Sequence, residues 1–361
     1  MQIDMHFYGT YALARAAGLP PEVAKIVATA AQFVDDADTN DTISLANGEQ
    51  FRTVVSAHGM LDCENLNEGD QWRVWMPYHF LPGGVGESNE EKLICRPGNP
   101  GNLAVDDVCA LVLEHKLKPY GAQLLGIVSH VIEDTYSHFG FSGVTSLYNK
   151  ADQDSIAFEL DDRGIEEHMR HKMELQKQKI LGTGGELAKM GHGAVGELPD
   201  RPFLKWRFSY EASLEQCPRV EHGVSTMRDN PALYMDAARR LHALYRQFAE
   251  NNPLVPEPLS FRPFSGIEAR LGDILSFEGT KEDRGDKWRQ AAQDGWLYDP
   301  QRVEQDGEFI AYDKAFLWHG DLPQLDAPQL SAPYLFHQAS RLYRNHVLGP
   351  LVSTKMALDQ V

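Results

Sequence analysis

The segment GIVSHVIEDTYSHFGFSG, residues 126–143, constrains this chain more than any other. It sits in the strongest helical stretch, expected over Tyr120–Phe139 and ended by Gly140. His130, Asp134 and His138 fall at i, i+4 and i+8 of an otherwise apolar helix. Each four-residue step advances about 400°, so neighbours share a face one turn apart. One reading is a pair of core histidines with a hydrogen-bonding Asp. The other is a metal site, since neutral imidazole nitrogen and hard carboxylate oxygen suit zinc. A carboxylate between two imidazoles can bridge two ions about 3.5–4 Å apart, the spacing of two-metal phosphoesterase sites. Three such groups on one apolar helix favour the metal.

The flanking patterns are helical too. Thr10–Ala17 ends at Gly18, and Pro20 and Pro21 suit the first turn of a helix running PEVAKIVATAAQFVDD. Further helices are expected over Asp106–Lys116, Asp154–Ile180, Asn230–Asn251 and Ala332–Val347. No segment shows sustained period-two alternation. These patterns predict an all-α multi-helix bundle with long loops. Pro-rich breaks at 253–260 and 321–333 divide it into a metal-binding domain, 1–250, and a C-terminal extension, 251–361, packed on the first.

Charge narrows the partners. The chain carries 34 Lys+Arg against 52 Asp+Glu, a formal −18. Residues 1–160 hold 22 acids and 9 bases, so −13 of the −18 lies there. That argues against a basic surface for nucleic-acid backbone or anionic lipid. The acids form a solvated face or have a cationic partner. The four cysteines fit no zinc ribbon and read as reduced thiols. No signal sequence is seen at MQIDMHFYG, and no apolar run approaches about 20 residues, so a cytoplasmic protein without a transmembrane segment is expected.

Other candidate ligands are scattered. Asp35 and Asp36 end the second helix, where acids oppose the helix dipole. Asp4 and His6 in DMHFYG face one side if that segment is extended. His58 and His79 each follow an apolar stretch and enter a glycine-bearing turn. His192 and Asp200 sit in the Gly-rich GHGAVGELPDRP. In EEHMRHK, Glu167, His168 and His171 read as a solvated face. Arg201, Lys205 and Trp206, in RPFLKWRFSY, are candidates for holding a phosphate and an apolar or base moiety; a half-buried edge with snorkelling stems is the bland alternative. There is no HExxH, GxSxG, Walker loop or HD dipeptide.

Taken together, the early His, the Asp pair ending an N-terminal helix, the loop histidines and His-x3-Asp-x3-His resemble the zinc-dependent phospholipase C and fungal single-strand nuclease superfamily. Segments like MHFYGTYALARAAGL, AAQFVDD and SHFGFSG also resemble an uncharacterised bacterial family. The resemblance covers about residues 1–210. It implies two or three zinc ions held by His6, Asp35 or Asp36, and His58 or His79, with Asp134 bridging, His130 and His138 flanking, and His192 and Asp200 as a last pair. The superfamily also uses a mature α-amino group. No signal cleavage is expected to expose that group here, and Asp4 is the candidate substitute. The last pair is eight residues apart in a loop, whereas the superfamily's is at helical spacing.

The implied function is a metal-dependent phosphodiester hydrolase acting on a phospholipid headgroup, a nucleotide or a single-stranded nucleic acid. Either Asp36 or Asp4 would orient or deprotonate the attacking water. The alternative is a catalytically silent protein, pinned by metals, that binds a protein partner.

Overall fold

The structure is a computed structural model. It describes residues 1–59, 64, 67–211, 227–253, 255, 261–305 and 310–353. About 58 % of the chain is helical and 8 % is strand. The longer helices are α1 (Thr10–Ala16), α2 (Pro21–Asp36), α3 (Leu103–His115), α4 (Gly121–Ser137), α5 (Arg163–Gly182), α6 (Asn230–Ala249), α7 (Glu268–Leu275), α8 (Lys281–Gln293) and α9 (Ala332–Ser353).

Helix α4 is the central post. All its residues but Ala122 are buried, and α2, α3, α6 and α9 pack around it. Its closest partner is α2, and a glycine sets that distance. A Cβ on Gly126 would stand 2.3 Å from the Val27 carbonyl oxygen and 2.7 Å from Ala30 Cβ. Only hydrogen fits there, which is why the small-residue run Ala28–Ala31 of α2 lies against α4.

The expected all-α class needs correcting, because two small sheets are present. Strands β1 (Thr42–Ser44) and β2 (Gln50–Arg52) form a hairpin. Strands β3 (Ala151–Phe158), β4 (Lys205–Tyr210) and β5 (Met227–Asp229) form an antiparallel sheet in that order. The period-two signal exists in KWRFSY: Trp206, Phe208 and Tyr210 are buried, while Lys205, Arg207 and Ser209 are exposed. The long helix expected from Asp154 therefore starts later, at Arg163, where Asp162 caps it by accepting from the Gly164 and Ile165 amides.

Residues beyond 250 share the main core. Ile267, Leu271, Trp288, Leu297, Phe336 and Tyr343 join one apolar cluster with Met5, Leu13, Val27 and Ile127. Buried polar ties cross the expected boundary as well. Arg15 donates to Glu304 at 2.6 Å, Tyr78 to the Ser340 carbonyl at 2.9 Å, and Tyr343 to the Pro77 carbonyl at 2.6 Å. The Pro-rich 253–260 break lies largely outside the described residues. Cys95 and Cys109 are free and buried; Cys63 and Cys217 lie outside the described residues. Among the described residues no helix is long and apolar enough to cross a membrane.

Candidate metal centre

Three groups of metal-ligating side chains converge where α2, α4 and the N-terminal segment meet. They are His6, His130 and Asp134; Asp35, His79 and His130; and His138, His192 and Asp200. Within each group the ligand atoms lie within 4.8 Å of one another.

The ring tautomers can be read from the hydrogen bonds, because a carbonyl oxygen only accepts. His130 donates Nδ1–H to the Ala31 carbonyl at 2.9 Å. His79 donates Nε2–H to the Ser56 carbonyl at 2.8 Å. His138 donates Nδ1–H to the His79 carbonyl, and His192 to the Gly196 carbonyl, each at 2.8 Å. In every neutral ring the other nitrogen is then bare and faces the cluster. His130 Nε2 and His79 Nδ1 stand 3.1 Å apart, lone pair towards lone pair. Asp134 Oδ2 is 3.2 Å from the first and 3.1 Å from the second. Such a convergence of acceptors repels unless a cation sits among them, either a metal ion or the proton that Asp134 favours on His79 Nδ1.

His6 completes the pattern. Its Nδ1 lies 2.5 Å from Glu133 Oε2, while Thr10 Oγ1 donates to Glu133 Oε1 at 2.7 Å. Its Nε2 is buried without a hydrogen-bond partner, 3.5 Å from Asp134 Oδ1. That orphaned nitrogen, with the donor set around it, fits a divalent cation such as zinc.

The electrostatics carry the same strain. Burial above all pushes His6 well below the ordinary imidazole range and Glu133 well above the carboxyl range. Burial also lowers His192 to about 4. Asp134 is buried too, yet it is held well below the usual carboxylate range because His138, the Met1 amine and His130 surround it. Burial lowers His79, but its hydrogen bond to Asp134 and that carboxylate's charge outweigh burial and raise it.

Several expected residues stand elsewhere. Asp4 is not at the centre: its carboxylate forms a buried pair with Arg284, 2.6 Å from Nε. The reason is local. Asp4–Gly9 is a π-helical turn, so Asp4 and His6 do not share a side as they would on a strand. The α-amino group of Met1 is there instead, fully buried, 2.5 Å from Asp134 and 3.3 Å from Asp200. Burial opposes its charge, but those two carboxylates raise it to about 11.

Asp35 rather than Asp36 faces the cluster. Adjacent helical residues point about 100° apart, and Asp36 turns to accept from Tyr312 at 2.6 Å. His79, not His58, joins the ligand groups; His58 pairs with Asp70 at 3.0 Å and lines the cavity wall. Arg201, Lys205 and Trp206 do not line this cavity. Arg201 pairs with Glu197, Lys205 with Asp229, and Trp206 donates to Asn230. Lys205 and Trp206 border a different cavity beside the three-stranded sheet.

The metal-centre cavity is about 310 Å³, walled by Trp75, Phe80, Leu187 and Met190. Its described lining contains no lysine or arginine. The Gly-rich loop closes on Phe80: a Cβ on Gly191 would come 2.4 Å from that ring, and Gly191 has φ 48°. Sequence reasoning missed Glu133, Trp75 and Phe80. Glu133 left a signal, an acid on an apolar helix with no cationic neighbour one turn away.

Comparison with known proteins adds a family but no activity. No curated protein and no solved structure matches the chain. The family of unknown function DUF6765 matches over residues 1–351, and the chain belongs to that family.

Proposed function

We infer that this protein is a metal-dependent phosphodiester hydrolase, with two or three zinc ions and a helical frame of the phospholipase C type. The observation that supports this best is the set of bare imidazole nitrogens, each fixed by a donor bond on its far side and aimed at shared carboxylates. Far-side partners of this kind orient metal-bound histidines. Zinc bound here supplies a water of lowered pKa and a positive charge against the phosphoryl oxygens.

The chain's own groups have distinct tasks. Among the cluster carboxylates Asp35 is the most open, 35 % exposed, against 2 % for Asp134 and 11 % for Asp200. Asp35 is therefore the carboxylate placed to take a proton from an attacking water, a role expected earlier of Asp36 or Asp4. Asp134 lies between the groups and fixes their separation. Trp75 and Phe80 hold an apolar or base moiety and exclude water from it. With no lysine or arginine in the cavity's described lining, bound cations would balance a phosphate's charge there.

The test is metal analysis followed by hydrolysis of bis(p-nitrophenyl) phosphate. Turnover that disappears with a chelator and returns with zinc is the expected result. Metal-loaded protein that shows no turnover on any phosphodiester would reject the hydrolase and leave a metal-pinned binding protein.

A further inference from the structure

A second cavity, of about 500 Å³, shares His58 with the metal-centre cavity. Its described lining brings together Arg52 at the end of β2, Arg73 two residues before Trp75, and Arg341 and Arg344 on one face of α9. Among the described residues, no carboxylate stands within 4.0 Å of any of these four guanidinium groups. Elsewhere on the surface some arginines pair, as Arg170 does with Glu166 and Arg262 with Asp299; others do not, but only here are four gathered around one cavity among those described. Here Arg52 Nε donates to Asn40 and Arg341 to the Arg52 carbonyl, while Arg73 and Arg344 make no side-chain hydrogen bond or ion pair among the described residues. Of the cavity's own acids, Asp70 is engaged with His58 at 3.0 Å.

Four unpaired arginines around one cavity are unexpected in a chain with a formal −18. Like charges gathered in this way repel, and an oxyanion relieves that repulsion. The planar guanidinium fork matches phosphate oxygens two at a time. We propose that this cavity binds a phosphate group, specifically a second phosphate on a substrate whose scissile phosphodiester lies at the metal centre. His58 stands in the wall of both cavities, so the two sites adjoin. The assignment to substrate rests on the hydrolase reading; the phosphate binding does not.

Two measurements keep those claims apart. Inorganic phosphate is titrated calorimetrically into chelated wild-type protein and into an Arg73→Gln, Arg344→Gln double variant, neither of which loses an intramolecular hydrogen bond. Saturable binding that weakens about tenfold in the variant, and weakens with added salt, is expected. No saturable binding, or equal binding by both proteins, overturns the phosphate site. Hydrolysis by the zinc-loaded proteins is then compared on two nitrophenyl phosphodiesters, one bearing an additional phosphate monoester. A KM raised about tenfold by the double substitution for the doubly phosphorylated ester alone supports the substrate assignment. An unchanged KM ratio overturns that assignment and leaves a site for free phosphate.

Discussion

Five histidines each commit one ring nitrogen to a partner outside the cluster, and this is what makes the site at the residue scale. The sequence showed His130, Asp134 and His138 because helical spacing alone puts them in line. It left Asp35 against Asp36, and His79 against His58, undecided, because each choice depends on tertiary partners: Tyr312 draws Asp36 away and Asp70 holds His58. Asp4 was misplaced because a π-turn was not legible in DMHFYG. Its pairing with Arg284 yields a test. Both side chains are 1 % exposed, so Asp4→Ala leaves a buried guanidinium without a counter-charge. A loss of about 3–5 kcal/mol is expected in urea unfolding; a loss under about 1 kcal/mol would remove the pair from the account of stability. Glu133 tests the far-side bonds: Glu133→Gln should weaken zinc affinity about 10–100-fold in competition with a chromogenic chelator. Unchanged affinity would mean that His6 needs no such partner.

At the scale of elements, the centre exists because α2 can approach α4. Most of the longer helices were legible from apolar periodicity and from Gly18 and Gly140, but the one expected from Asp154 begins nine residues later, at Arg163, and Glu268–Leu275 and Lys281–Gln293 were not read. The strands were not, since KWRFSY offers only six residues of alternation beside charged neighbours. The role of Gly126 was equally hidden, because a glycine inside a helix says nothing by itself about which partner comes close. Gly126→Ala should push Ala31 and Asp35 away from His130. We expect about 1–3 kcal/mol of destabilisation from overpacking, together with reduced zinc content per chain. Thermal melting and metal analysis on the same sample check both. Full zinc content with lowered stability would separate helix packing from site assembly.

Across the whole molecule, residues beyond 250 share the main apolar core with the N-terminal helices. His337 on α9 shows how that packing depends on pH. The Val54 amide donates to its Nδ1 at 3.2 Å, so the folded state needs that nitrogen unprotonated. Burial, with His319 and Arg341 nearby, lowers its pKa to about 3. The unfolded value is about 6.5, so the unfolded chain takes up the proton first. The contribution of His337 to stability is therefore full above about pH 6.5 and is lost progressively as pH falls towards about 3, by up to roughly 1.4 kcal/mol per pH unit. Urea unfolding between pH 7 and pH 5 should show a shallower decline for His337→Gln than for wild type. Parallel declines would assign the acid sensitivity to other groups.

Among the described carboxylates of residues 1–160, Asp35 and Asp134 enter the ligand groups and the others do not. Their electrostatic setting, with bare nitrogens facing one another across Asp134, is the central claim, and zinc-edge anomalous diffraction tests it most directly. Crystals of protein purified without chelator should show a peak between His79 Nδ1 and His130 Nε2, another among His138, His192 and Asp200, and, with a third ion, one at His6 Nε2. A map with no anomalous peak at any of these positions, from protein supplied with zinc, would contradict the metal centre.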